Sequence, residues 1–322
     1  MNGPPTQKAQ PLEPSLAACP RPLAAPDTTM LQWVLRVAVA ACFIGHGAFG
    51  IITKAAWVPY FAVVGIPEAW AWRLMPLIGA VDITLGVLTL VQPIRVVVLY
   101  MAFWGLQTAA LRPLAGQGIW EFLERAGNYG VPLAFLLLLG WRRAVSDWFS
   151  RRPMSALTEP RACAIEWTLR LTIALLLIGH GGFDFAMHKD WSGYEAAIGI
   201  NTSTLAGHQL RPFAGWFEAA LGVVVLGWPA RGLLIFVFAW KLGTEALRLL
   251  VGEPIWEFIE RGGSYGAPLA LATLQTWTRT VRCGAAAVVP IDITGGREAS
   301  LYGEADCCTP FDADGEALER KK

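Results

Sequence analysis

A histidine, a carboxylate and an arginine recur in the same order at two places in this chain: His46, Asp82 and Arg112, then His180, Glu218 and Arg248. An imidazole near a carboxylate is suited to general acid–base work, to carrying protons, or to gripping the polar head of a bound molecule. All six residues fall in or at the ends of strongly apolar stretches. Burying an ionisable group there is costly, so each is a functional candidate by default. The second set has an addition of its own, Lys241 and Glu245, an i,i+4 pair in the middle of an apolar helix. Such a pair can neutralise itself as a packing device, relay protons or bind an anionic group, with Glu218 as a third member.

Two cofactor-sized readings follow. His46 and His180 are candidate axial ligands of a haem held between two repeated units, although one intramembrane histidine per unit leaves a haem inside a single unit short of a ligand. A quinone or other lipid-soluble molecule, held by histidine and carboxylate between tryptophan walls, is the second. A purely structural reading stands beside them, in which the same residues form a buried polar network locking each bundle, with the glycines around each histidine allowing close helix approach. Another motif, WEFxER, supplies Trp120, Glu121, Glu124 and Arg125, and again Trp256, Glu257, Glu260 and Arg261. Its spacing predicts the i,i+4 pairs Glu121–Arg125 and Glu257–Arg261 on a short amphipathic helix at the outer membrane surface, with both tryptophans in the interfacial belt.

These residues recur because the chain repeats itself. IGHGAF at 44–49 matches IGHGGF at 178–183, an offset of 134. Beyond a two-residue slip, IWEFLERAGNYGVPLA at 119–134 matches IWEFIERGGSYGAPLA at 255–270. Chance does not plausibly give that match over 16 positions, and duplication with fusion explains it. In this register Lys241 and Glu245 replace Gly105 and Ala109, so the second copy diverged there.

Composition says what positions these residues. The 322-residue chain is 54% hydrophobic and 16% charged, with 15 Trp, whereas soluble domains carry about 25% charged residues. Lipid is the expected solvent. A net charge of +1 leaves no whole-chain argument for nucleic acid. A spanning helix needs about 20 apolar residues, and candidates lie at about 31–53, 72–91, 93–111 and 128–147, then 165–187, 209–227, 229–250 and 264–281. The fourth of each set is the weakest.

The expected fold is therefore an all-α membrane protein of eight transmembrane helices, arranged as two parallel-repeat four-helix bundles at 31–148 and 165–281. A basic linker at 149–164 joins them, and tails at 1–30 and 282–322 flank them. Lys and Arg concentrate on the linker side, above all at Arg142, Arg143, Arg151, Arg152 and Arg161. The positive-inside rule then puts both termini in the cytoplasm, with a bacterial inner membrane as the expected setting. The cysteines show no metal-type spacing, and the vicinal Cys307 and Cys308 read as unpaired tail thiols.

The first helix of each copy, LRVAVAACFIGHGAFGIITK at 35–54 and LRLTIALLLIGHGGFDFAMHK at 169–189, resembles the opening helix of DoxX-like membrane proteins: an Arg, an apolar run, a Gly-containing small-residue turn, then Lys. Asp82 or Glu218 followed by Leu-Gly resembles their second helix. Those proteins are single four-helix units, and some are subunits of thiosulfate:quinone oxidoreductase, so the resemblance implies a quinone-linked role and other membrane or redox subunits as partners. The WEFxER segment has no place in that pattern. Three function classes remain open: a redox or quinone-interacting membrane subunit, a transporter or proton-coupled permease using Lys241, Glu245 and Glu218, and a structural or assembly subunit without chemistry. There is no G-x-S-x-G, Walker A loop or H-E-x-x-H to support a soluble-type catalytic site.

Overall fold

The computed structural model describes residues 27–150, 156–188, 190–199 and 205–286, with side chains at 205–211 and 279–286 left aside. The regular structure of the described residues is entirely helical, with no strand among them. The first half runs α1 (Thr29–Ile51), a 3-10 turn (Ala55–Trp57), α2 (Val58–Val63), α3 (Glu68–Val91), α4 (Arg95–Leu114), α5 (Ile119–Glu124) and α6 (Ala126–Leu139). After α7 (Val145–Phe149) the second half runs α8 (Glu159–Phe185), α9 (Ser192–Ala197), α10 (Leu205–Gly227), α11 (Arg231–Leu250), α12 (Ile255–Ile259) and α13 (Gly262–Ala286). The basic linker is thus partly helical at both ends. Most of each expected tail lies outside the described residues, as do Cys307 and Cys308.

At the centre stand α1, α6, α8 and α13. Leu35 and Val39, Phe135 and Leu138, Leu169 and Ile173, and Leu271 and Leu274 interlock there in one core. The helices α3 and α10 lie along the outer sides of α1 and α8, while α4 and α11 pack on α6 and α13. Contacts also cross between the halves: α1 packs on α12 and α13, and α8 on α5 and α6. Small residues make the close crossings possible. A Cβ on Gly47 of α1 would lie 2.5 Å from the carbonyl oxygen of Gly79 on α3. Such crossings suit a lipid-embedded bundle, where apolar lipid tails leave close packing to hold helices together.

Among the described residues three helices, α1, α3 and α8, are long and apolar enough to cross a membrane, which marks the chain as membrane-associated. The distribution of side chains is the reverse of a water-soluble fold. Leu77, Phe103, Phe213, Trp216 and Val223 are each at least 60% exposed, whereas Asp82, Glu218, Lys241 and Glu245 are 3% exposed or less. Water outside would penalise this arrangement twice, and hydrocarbon outside removes the penalty.

The fourth long helices differ. α6 has 14 residues and ends at Gly140, whose φ of 81° is left-handed, so it falls short of the roughly 20 residues a span needs. Arg95, itself buried, closes that end by donating to the carbonyl oxygens of Leu139 at 2.8 Å and Gly140 at 3.1 Å. In α13 the equivalent of Gly140 is Thr276, and the helix continues to Ala286. Of the cysteines, Cys42 is a buried free thiol and Cys163 is disulfide-bonded.

Candidate functional site

Each half encloses a cavity beside the last turns of its first helix. The first cavity, about 280 Å³, is bounded by His46 of α1, Trp57 and Tyr60 of the segment after it, Asp82 of α3, and Trp104 and Arg112 of α4. The second, about 200 Å³, is bounded by His180, Trp191, Tyr194, Glu218, Trp240 and Arg248. The two sets correspond position by position at the offsets 134 and 136. The structure therefore brings together His, acid and Arg within each half. The two histidines line separate cavities rather than one shared space, so they do not form the facing pair that an axially ligated haem requires.

The aromatic pair Trp57 and Tyr60, with its counterpart Trp191 and Tyr194, is absent from the expected site residues. W-x-x-Y recurs at the same offset of 134 as the histidines, so carrying that register past each first helix would have found it. His46 stacks on Trp57 with ring centroids 5.3 Å apart, and His180 lies 5.7 Å from Trp191. Tyr60 donates to Gln117 Oε1 at 2.7 Å, and Tyr194 donates to Glu253, the counterpart of Gln117. Burial and the Glu253 hydrogen bond push the Tyr194 phenol up to about 12, so it is a neutral donor at physiological pH.

The polar ends of the cavities differ. In the second, His180 Nδ1 lies 2.6 Å from Glu218 Oε2, and Trp240 Nε1 donates to Glu218 Oε1 at 2.7 Å. Lys241 Nζ sits 3.6 Å from Glu218 Oε1 and 3.4 Å from Glu245 Oε1. Arg248 donates to Glu245 Oε2 at 3.0 Å and to Glu253 Oε2 at 3.1 Å. In the first, Asp82 is hydrogen-bonded by Trp104 alone, and its Oδ1 has no hydrogen-bond partner among the described residues. His46 turns instead toward Glu260 of the other half, with Nδ1 3.3 Å from Oε2.

The WEFxER segments pack largely between the halves, and their close ion pairs run mainly across to other elements rather than along the i,i+4 spacing. Glu124 and Arg125 lie against Glu260 and Arg261 between the halves, all four 7% exposed or less. Arg261 pairs with Glu124, Arg125 pairs with Glu260 at 3.1 Å, and Arg261 also reaches Glu245 at 3.2 Å. Glu121 pairs with Arg112 at 3.2 Å, and Glu257 with Lys54 of the first half at 2.5 Å. Trp120 packs on Gly182 and Phe185 of α8.

The cause is backbone packing. Gly45 and Gly179, just before the two histidines, lie so close to the backbones of Glu260 and Glu124 that a Cβ at either would overlap them. Each G-H-G turn therefore seats the Glu-Arg step of the opposite half. A network locking each bundle separately is thus replaced by one that ties the bundles together. Burial alone would push the Glu124 carboxyl up, but Arg125 and Arg261 outweigh it and hold Glu124 well below the usual carboxylate range. Glu260 is held low in the same way, chiefly by Arg125 and then His46.

No protein-family model, no curated protein and no solved structure matches this chain.

Proposed function

We propose that this chain is a multi-pass membrane protein built from two parallel DoxX-like four-helix units, and that each half binds the head group of a quinone-type, lipid-soluble molecule. The observation that carries this reading is the pair of equivalent cavities. In each, aromatic walls lead to a histidine, a carboxylate and an arginine set among apolar-faced helices. Such a pocket desolvates a flat ring while offering hydrogen bonds to its carbonyl oxygens. The histidine and its acid are placed to hold or give a proton at that end.

The reversed exposure of polar and apolar residues supports eight spans, with the shorter α6 completed by the Arg142 and Arg143 segment. The basic linker supports cytoplasmic termini. The disulfide at Cys163 counts the other way, since disulfides belong to oxidising compartments. Labelling intact cells with a membrane-impermeant reagent at a cysteine introduced in the linker decides the orientation.

The test of the binding reading uses the full chain purified in mild detergent. Short-chain ubiquinone should quench tryptophan fluorescence saturably, and His46→Ala together with His180→Ala should weaken it at least tenfold. If extracted lipid contains no quinone and quenching stays linear with concentration, the reading is wrong.

The transporter reading draws on a separate observation. A chain of charges runs from His180 through Glu218, Lys241, Glu245, Arg261 and Glu124 to Arg125, Glu260 and His46. It links the two cavities, as coupled transport would require. Uptake into proteoliposomes that survives Lys241→Ala unchanged would remove its basis.

A further inference from the structure

The repeat allows one cavity to be read against the other, atom for atom. In the second half, Lys241 places an ammonium beside Glu218, the buried acid of that half. In the first half the equivalent of Lys241 is Gly105, where a Cβ would overlap the backbone of Asn128 on α6. No side chain of that length fits. Beside Gly105 there is a small space of about 10 Å³, lined also by His46, Asp82, Thr108 and Asn128. That is room for one water-sized species.

Asp82 is 3% exposed, and its Oδ1 has no hydrogen-bond partner among the described residues. His46 also lines the space, but its Nδ1 is engaged with Glu260 Oε2 at 3.3 Å, so Asp82 Oδ1 is the atom left without a partner. A buried carboxylate without a compensating charge is strongly disfavoured. Its counterpart Glu218 receives that charge from Lys241. A water in the space would satisfy hydrogen bonds but bring no charge. A proton on Asp82 would bring charge but leave the space unfilled. A small cation does both, and the oxygens of Asp82, Thr108 and Asn128 are the hard donors such ions prefer.

We propose that the first half holds a monovalent cation of Na⁺ size between Asp82, Thr108 and Asn128, beside His46, at the position matching the one where the second half carries the ammonium of Lys241. The protein would then have one built-in and one exchangeable cation at matching positions. The site adjoins the first cavity through His46, Asp82, Trp104 and Thr108. It does not depend on what that cavity binds.

The test uses the full chain in nanodiscs, with bound radioactive Na⁺ measured at constant ionic strength against N-methyl-D-glucamine chloride. Wild-type protein should bind one Na⁺ per chain, saturably, and melt at a higher temperature in NaCl than in the organic salt. Asp82→Asn should abolish both effects. Thr108→Ala, which removes one neutral ligand, should weaken binding about tenfold. Absence of Na⁺ binding in the wild type, or equal binding by Asp82→Asn, overturns the proposal. So does a melting temperature that responds to pH but not to Na⁺, since a proton then occupies the site. If Asp82→Asn does not fold, Thr108→Ala decides, and unchanged affinity there rejects the site. Quinone titration is a separate measurement, so the two readings fail separately.

Discussion

The two cavities share their histidine, arginine and aromatic pairs and differ in what surrounds the acid. In the first half Asp82 has Trp104 and an empty-sided Oδ1. In the second half Glu218, one methylene longer, meets His180, Trp240 and Lys241 at once. The histidines follow suit: His180 is taken by its own acid, and His46 by Glu260 across the interface. The two cavities thus share one arrangement, but the acid of the second is paired with a lysine and the acid of the first is not. The difference traces to α4 and α11, where Gly105 and Ala109 allow close packing on α6 and Lys241 and Glu245 fill that room with charge.

The axial cluster is the strongest point at which to break this pairing. Arg261→Ala would take one cation from both Glu124 and Glu245, leaving Glu124 to Arg125 and Glu245 to Lys241 and Arg248, so the loss should approach about 3–5 kcal/mol, that of a buried pair broken from one side. Arg125→Ala, after which Glu124 keeps Arg261, Glu260 keeps His46 and all the partners of Glu245 remain, is expected to lose less. Thermal unfolding of the two variants in one detergent measures both; equal losses would show that the halves are not distinguished by Glu245.

Next in size, Lys241→Gly alone should lower stability by about 3 kcal/mol. The double change Lys241→Gly with Glu245→Ala restores the residues of the first half and should recover part of that loss. A double variant less stable than the single one would contradict the view that Lys241 exists to neutralise these acids.

Trp240→Phe removes the indole donor to Glu218 and should lower stability by about 1–3 kcal/mol, since hydrogen bonds to a charged group are the stronger kind. Trp104→Phe should have a smaller effect if Asp82 carries a bound cation, and adding Na⁺ should narrow the gap between Trp104→Phe and wild type. A gap that ignores Na⁺ would set the two indoles on equal terms.

The dependence on pH comes last. Glu124 and Glu260 have folded values depressed below those of the unfolded chain. Their contribution is fully present above the unfolded carboxylate range, near pH 4.3, and is lost as pH falls through the folded values. Melting temperature should therefore be flat from about pH 8 to pH 5 as far as these groups are concerned and fall in stronger acid. A fall already between pH 7 and pH 6 would place the titrating group elsewhere.

Several features of the fold and site were legible as residues in order. The apolar runs marked the long helices, and the register of the repeat paired His46 with His180, Asp82 with Glu218 and Gly105 with Lys241. The same register held Trp57 and Tyr60, which were overlooked because a tryptophan and a tyrosine in an apolar chain look like ordinary interfacial residues. The end of α6 was half legible, since Gly140 against Thr276 distinguishes the two fourth helices, whereas the capping reach of Arg95 was not.

What the sequence determined by itself was the list of partners: two copies, two acids, two histidines and two Glu-Arg steps, with one lysine added. Which of them meet was decided only by the tertiary structure. Along a single helix the spacing of Glu121 and Arg125 makes them neighbours. In a molecule made of two related halves, residues near the contact between them meet the other copy instead. The glycines at 45 and 179 let the backbones come close enough for Arg261 to take Glu124 and for Arg125 to take Glu260. Local periodicity carries no information about that choice, because both copies present the same residues at the same spacing.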